Sequence, residues 1–418
     1  MTDDAEVREA VAQAHRREWA VVLAATVRLV RDLDLAEECA QDAYAHALRN
    51  WAANGVPAKP GAWLTTVARN RAKDILRRES VLRSALPLLV TDDVVPGPED
   101  RPDRSVFDDD RLRLIFTCCH PALSRDAQVA LTLRLVCGLS TTEVARAFLV
   151  QETAMAARIT RAKKKISGAR IPYRVPSSAD LPERVGAVLE VVHLVFTTGH
   201  AAPVGKELVR EDLADGAIHL ARTLHQLLPD NTDITGLLAL MLLTDARRDS
   251  RLSADGRLVL LAEQDRTRWD ADKIREGTTL LTEALRRGGP TKYAVQAAIA
   301  AVHTEAATWE DTDWVEVVGL YGVLRRLWPS PVVELNRAVA IGFRDGPEAG
   351  LTALAPLLEE PALGTYAYLS AARADFLRRL GRWAEAATSY EEALAMTDNE
   401  VERAFLARRL EEVTLHLD

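Results

Sequence analysis

At residues 138–166 the chain reads GLSTTEVARAFLVQETAMAARITRAKKKI, and the spacing within it is that of two short helices. Ser140, Thr141, Thr142 and Glu143 form a capping box. The serine hydroxyl accepts from the amide three residues on, and the glutamate reaches back to the serine amide. Val144, Ala145 and Phe148 then mark the buried face of a first helix. A second starts near Gln151, with Met155, Ile159, Ala162 and Ile166 at helical spacing on the side that packs inward. Arg158, Arg161 and Lys165 point elsewhere, and Lys163 and Lys164 extend their charge. A short helix followed by a basic amphipathic one is the pattern of a helix-turn-helix, whose second helix lies in the major groove. A solvated basic face is the other reading of the same pattern.

Upstream, residues 36–42 read AEECAQD, so Glu37, Glu38, Gln41 and Asp42 make an acidic stripe on a helix. The turn formers Asn54-Gly55-Val56-Pro57 and Pro60-Gly61 break the block. PGAWLTTVARNRAKDILRR (60–78) predicts a further helix with Leu64, Val67 or Ala68, and Ile75 facing a core. Arg69, Lys73 and Arg77, at i, i+4 and i+8, make one basic edge, beside Asn70, Arg71, Asp74 and Arg78. Trp63 stands at the helix entry. A basic helix with an aromatic near a loop suits single-stranded nucleic acid, where charge neutralises the backbone and rings stack on bases. Trp63 is read equally well as a core aromatic.

The whole chain of 418 residues is rich in helix formers and poor in alternating β-branched runs, so the fold class is all-α. The expected domains are 1–80, a linker over 81–107, 108–170, and 171–418. The linker is Pro-rich and acidic: eight acids fall between Thr91 and Asp110, opposed there only by Arg101 and Arg104. Charge is divided unevenly. Residues 1–170 carry a net +3 and residues 171–418 a net −11, which together give the chain's −8. A mildly basic half before an acidic one fits two separate tasks.

Near 298–399 the chain repeats weakly. Trp314, Tyr321, Leu324 and Pro329 are matched 69 residues later by Trp383, Tyr390, Ala393 and Asp398, twice a period close to the tetratricopeptide length of about 34 residues. Ala374, Leu377, Gly381, Trp383, Ala386, Tyr390 and Ala393 resemble that repeat's pattern of small and aromatic positions. A degenerate copy spans 336–358, and an ordinary alanine-rich helix pair is the simpler reading.

Other constellations point away from catalysis. Cys118-Cys119-His120 lacks the second pair of ligands a tetrahedral metal site needs, so no metal or other cofactor is expected. None of the common nucleotide-binding, metalloprotease or hydrolase motifs is present, so no catalytic residue is assigned and no enzyme is expected. The four cysteines, Cys39, Cys118, Cys119 and Cys137, form no CxxC pair and suit a reducing cytoplasm. The opening MTDDAEVREA has no apolar run of a secretory signal, and no stretch is apolar enough to span a membrane. His193, His200, His219 and His225 are expected to be structural. The dense charges at 245–249 and 263–270 are expected either as a solvated face or as a contact with other parts of the machinery.

The series AEECAQDAY, PGAWLTTVARNRAKDILRR, an acidic linker and GLSTTEVARAFLVQETAMAARITRAKKKI resembles regions 2 and 4 of bacterial RNA polymerase sigma factors of the extracytoplasmic-function group, over about residues 10–170. The remainder resembles the long C-terminal extension of one subgroup, notably at LRLIFTCCHPAL (112–123), LLALMLLTDARRDSR (237–251) and GRLVLLAEQDRTRWD (256–270). This resemblance implies two partners, core RNA polymerase and promoter DNA. Glu37, Glu38, Gln41 and Asp42 would dock on the beta-prime clamp helices. Trp63, Arg69, Asn70, Arg71, Lys73, Asp74 and Arg77 would bind the −10 element and trap a flipped base. Thr153, Ala157, Arg158, Arg161, Lys164 and Lys165 would read the −35 element as duplex. The acidic linker would thread toward the active-site and RNA-exit channels. Two departures bear on −35 reading: the recognition helix carries Ala154-Met155-Ala156-Ala157-Arg158 where the family has Thr-Val-Lys-Ser-Arg, and Leu149 stands in place of a turn glycine. The extension, with a regulatory protein or ligand as its own partner, would regulate or brace the rest. Its charge would suit it to shield the basic edge at 158–165. A stand-alone helix-turn-helix regulator with a sensing domain is the alternative, but it leaves residues 36–78 and the linker unexplained.

Overall fold

The computed structural model describes residues 4–85, 110–148, 150–177, 179–202, 204–205 and 208–417. Most of the acidic linker and Leu149 lie outside them. The described chain is helical as expected, apart from two-residue strands, and divides into two compact units, residues 1–194 and 195–418.

The first unit begins with three long helices, α1 (Asp4–Val30), α2 (Leu33–Asn54) and α3 (Pro60–Ala85), each packed on the other two. The α1–α2 turn is tight: Arg31 takes a left-handed φ of 55°, and the Asp32 side chain caps α2 by accepting from the Leu35 amide at 2.9 Å. Gly55 (φ 79°) ends α2, and α3 starts on Pro60 itself, whose fixed φ suits a first helical position. Leu64, Ala68 and Ala72 are the buried face of α3; Val67 and Ile75 are only partly covered.

The second part of this unit comprises α4 (Asp110–Cys118), α5 (Arg125–Leu131), a π-helical turn over Thr132–Val136, α6 (Thr141–Phe148) and α7 (Glu152–Gly168). The capping box forms as read, with the Ser140 amide donating to Glu143 at 2.6 Å and the Glu143 amide to the Ser140 hydroxyl at 3.2 Å. Met155, Ile159, Ala162 and Ile166 are all buried. The thiols of Cys118 and Cys119 are buried too, and the Cys119 sulfur lies 3.5 Å from the Thr132 hydroxyl. A last helix, α8 (Leu181–His200), carries the chain into the second unit.

That unit is a succession of helices: α9 (Glu211–Leu227), α10 (Thr232–Asp245), α11 (Ala271–Gly288), α12 (Lys292–Glu305), α13 (Trp314–Leu327), α14 (Pro331–Arg344), α15 (Pro347–Leu354), α16 (Ala367–Arg379), α17 (Trp383–Ala395) and α18 (Glu400–Thr414). Consecutive helices pack as neighbours, with α10 in contact with α9, α11 and α12. α10 is apolar all round and nearly wholly buried, as such a helix must be. Ala374, Leu377, Ala386, Tyr390 and Ala393 close one core between α16, α17 and α18. Gly342 and Gly350 leave room for the Phe376 ring, which a β-carbon at Gly342 would meet at 2.2 Å. The unit's last turn returns to its beginning: Val204–Gly205 pairs in parallel with Asp398–Asn399, and the Asn399 amide donates to the Ala202 carbonyl at 2.9 Å.

The charge runs at 245–249 and 263–270 are neither a solvated face nor an outward contact alone. The Asp245 carboxylate is fully buried and accepts from Arg248 at 2.8 Å and Lys273 at 2.9 Å, while Arg248 also reaches Asp215 at 2.6 Å, so the acid joins α9, α10 and α11. Trp269 donates to Ser250, which bonds Gln264.

Two imidazoles of this unit are held neutral. Burial, then the charges of Arg247 and Arg266, pull His303 down to about 4. Burial, then Arg251, Arg247 and Arg248, put His200 well below its usual range. In the unfolded chain both titrate near about 6.5, so on acidification the unfolded state takes up protons first. Stability from His303 is therefore complete above about 6.5 and is lost as pH falls toward about 4, and His200 acts in the same direction. His303→Gln is expected to flatten the fall of the urea midpoint between neutral pH and about pH 4.5; curves parallel to the wild type's would contradict this.

Candidate nucleic-acid interface

The basic edges lie where the spacing put them. On α3, Arg69, Asn70, Lys73, Asp74 and Arg77 are exposed. Arg71 is half-buried, because its guanidinium bonds Asp42 of α2 at 2.8 Å, a pair that joins the acidic stripe to the α3 edge. On α7, Thr153, Ala157, Arg161, Lys164 and Lys165 are exposed. Arg158 is partly covered: it stands 3.4 Å from Asp126 of α5, with its guanidinium 5.4 Å from the Phe148 ring centroid. Trp63 is half-buried. Its ring meets Trp51 edge-on at 5.7 Å and lies 5.6 Å from His46, so one face is core and the rest reaches solvent.

Lys163 departs from the basic face on which the sequence placed it. Its side chain is only 10% exposed and turns toward α2, where the ammonium bonds Asp34 and Glu37, each at 2.7 Å. Glu37 is likewise not an open member of the acidic stripe. It is 6% exposed and takes the Arg134 guanidinium on one oxygen and Lys163 on the other. Glu38, Gln41 and Asp42 remain exposed. Burial alone would lower the Lys163 pKa, but the charge of Glu37 and the bonds to Asp34 and Glu37 outweigh it and raise the value. A lysine raised above its unfolded pKa gives its full stabilisation below that value, near about 10.4.

Further contacts join the same halves. The Trp19 indole of α1 donates to the Leu135 carbonyl at 3.1 Å. That carbonyl lies in the π-helical turn, whose altered bonding pattern accompanies the exchange of partners. Gly138 (φ 74°) packs against the Trp19 ring, 3.0 Å from where its β-carbon would stand. The Tyr173 hydroxyl contacts the Ala24 and Asp110 carbonyls, both at 3.1 Å, and Arg28 stands 3.5 Å from Asp110. Sequence reading missed all of these. The partners of Glu37 are 97 and 126 residues away, and helical periodicity carries no signal over that range. Among the described residues no group of three or more His, Cys, Asp or Glu is placed to hold a metal, and no helix is long and apolar enough to cross a membrane.

With this geometry the family matches fall on structural parts. Residues 15–81, essentially α1 to α3, match sigma-70 region 2, and residues 113–166, α4 to α7, match sigma-70 region 4. Residues 184–285 match a family of unknown function (DUF6596). The chain belongs to the sigma-70 family, as an RNA polymerase sigma factor with a helical C-terminal extension. It is 45% identical over 393 residues to an uncharacterized protein, R00370, of Rhizobium meliloti (strain 1021), covering 93% of this chain and 92% of that one.

Removing one partner of a buried ion pair strands the other, at about 3–5 kcal/mol, whereas an exposed pair contributes under about 1 kcal/mol. Glu37→Gln is therefore expected to destabilise residues 1–194 by about 3 kcal/mol in urea unfolding, and Asp34→Asn, at a 71% exposed partner, by less than about 1 kcal/mol. Equal effects of the two would refute the buried bridge.

Proposed function

We propose that this sigma factor is latched when free of polymerase, with region 4 held on region 2 through Glu37, and that core RNA polymerase opens it. The observation carrying this reading is the sharing of Glu37 between Arg134 and Lys163. Glu38, Gln41 and Asp42 then offer an exposed landing stripe for the beta-prime clamp helices. Docking there competes with region 4 for the neighbouring Glu37. Once released, region 4 presents Thr153, Ala157, Arg158, Arg161, Lys164 and Lys165 to the −35 duplex. The arginines suit base edges and the lysines phosphates. On α3, Arg69, Lys73 and Arg77 follow the strand backbone at the −10 element while Asn70, Arg71, Asp74 and the open side of Trp63 meet its bases. Arg71 has to leave Asp42 to do so, which couples polymerase docking to −10 binding. The extension regulates or braces this core.

Two variants separate docking from latching. Glu38→Arg places a repelling charge on the exposed stripe and is expected to weaken core-polymerase binding by about tenfold or more. Arg134→Ala with Lys163→Ala unlocks the latch without altering the stripe and is expected to tighten it, because the competent state is no longer a minor fraction. Titration of labelled core polymerase, followed by promoter-dependent transcript formation on genomic DNA, measures both. Unlatched protein that binds core more weakly than wild type would reject the latch. Duplex binding with no co-elution would return the stand-alone regulator.

A further inference from the structure

One cluster of charge in the C-terminal unit is left uncompensated by the network around Asp245. Arg247 follows directly after α10, facing Arg251, Tyr321 and His303, and is only partly reached by solvent. Among the described residues it has no carboxylate at ion-pair distance and no side-chain hydrogen bond. Its neighbour Arg248 takes the acids Asp215 and Asp245. Among the described residues the Arg251 side chain bonds only the His200 carbonyl. Arg266 bonds the His303 and Ala306 carbonyls and leaves its Nη2 without a partner. His303 Nδ1 and His200 Nδ1 are buried and unpartnered as well. The acid whose charge reaches Arg251 is Glu402, which is beyond ion-pair distance and already accepts from the Tyr368 hydroxyl at 2.6 Å. Burial first, and then the charges of Arg247 and Arg266, keep His303 neutral down to about pH 4.

Beside this cluster is a cavity of about 350 Å³. Tyr368 and Glu402, which face Arg251, stand in its wall, as does Trp309, whose ring is parallel to that of His303 at 6.3 Å. Leu260, Phe343 and Phe405 make the remainder largely apolar. Its other charged groups are already answered: Asp375 by Arg378 at 2.6 Å, and Arg409 by Glu412 at 2.8 Å. An apolar chamber of this size, with few polar groups at one side, is of the kind that takes a small molecule. A solvent-reached guanidinium fork without an acid is matched by a planar carboxylate or a phosphate.

We propose that the C-terminal unit binds an amphipathic organic anion, its acidic head at Arg247 and Arg251 and its apolar body in the adjoining cavity. The head supplies the charge that Arg247 lacks, and the body removes apolar wall from water. The volume fits one compact body, not an extended peptide.

The test uses the full chain and decanoate as probe, measured by titration calorimetry and thermal melting. Decanoate is expected to bind and raise the melting temperature. Decanol, the same body without the anion, is expected to bind about tenfold more weakly or worse. Arg247→Gln is expected to weaken decanoate by a similar factor while melting no lower than wild type without ligand, since it removes an unpaired charge. Ala372→Phe, which fills the cavity wall, is expected to weaken decanoate and leave Arg247 untouched. Decyl phosphate in place of decanoate distinguishes the two head groups, and binding of either supports the site. The proposal is overturned if neither anion binds, if decanol binds as tightly as decanoate, or if Arg247→Gln leaves binding unchanged.

Discussion

A carboxylate shut away from water must find cations, and Glu37 finds two of them in region 4. That requirement fixes the rest of the first unit. Placing Arg134 and Lys163 on α2 brings the π-helical turn over Trp19, and the indole takes the Leu135 carbonyl that the turn presents. The same packing leaves Glu38, Gln41 and Asp42 outside, with Asp42 tied to Arg71 of the basic α3 edge. The same pairing raises the Lys163 ammonium against the burial that would lower it. In the proposed account, core polymerase docking on the exposed stripe is what opens the bridge.

The parts of this arrangement that could be read along the chain are those that local periodicity encodes. The capping box at Ser140 and Glu143, the buried face of α7 and the turn at Gly55 all follow from spacing over a few residues, and all stand in the structure. Lys163 was misplaced for the complementary reason. Its position on the α7 wheel lies at the border of the basic face, and only the presence of α2 decides that it turns inward. Glu37 differs from Glu38 by one residue, yet one is buried and the other open, a distinction set by what packs against α2 and not by composition. Trp63 divides the same way, with one face against Trp51 and the rest toward solvent.

The extension obeys a different economy. Its dense charge runs read equally as a solvated face or as an outward contact, but Asp245 is buried and holds three helices through Arg248 and Lys273. Against that satisfied network, Arg247 stands out as a cation with no carboxylate at ion-pair distance among the described residues. The sequence LLTDARRDSR places Arg247 and Arg248 side by side, and nothing in it tells which finds an acid. Three-dimensional packing separates them: Arg248 takes Asp215 and Asp245, while Arg247 has no acid at ion-pair distance among the described residues. The weak repeat near the chain end contributes the helices α16 and α17 that wall the cavity of the C-terminal unit.

The account stands on the closed state of regions 2 and 4, and a distance measures it. Spin labels at the exposed positions Arg49 of α2 and Ser167 of α7, introduced as Arg49→Cys and Ser167→Cys with Cys137→Ser, report the separation of the two halves by pulsed electron resonance. The account predicts one narrow distance in the free protein, a broad spread when Glu37→Gln is added, and a longer distance on binding core polymerase. A broad distribution in the free protein that Glu37→Gln does not change would contradict it.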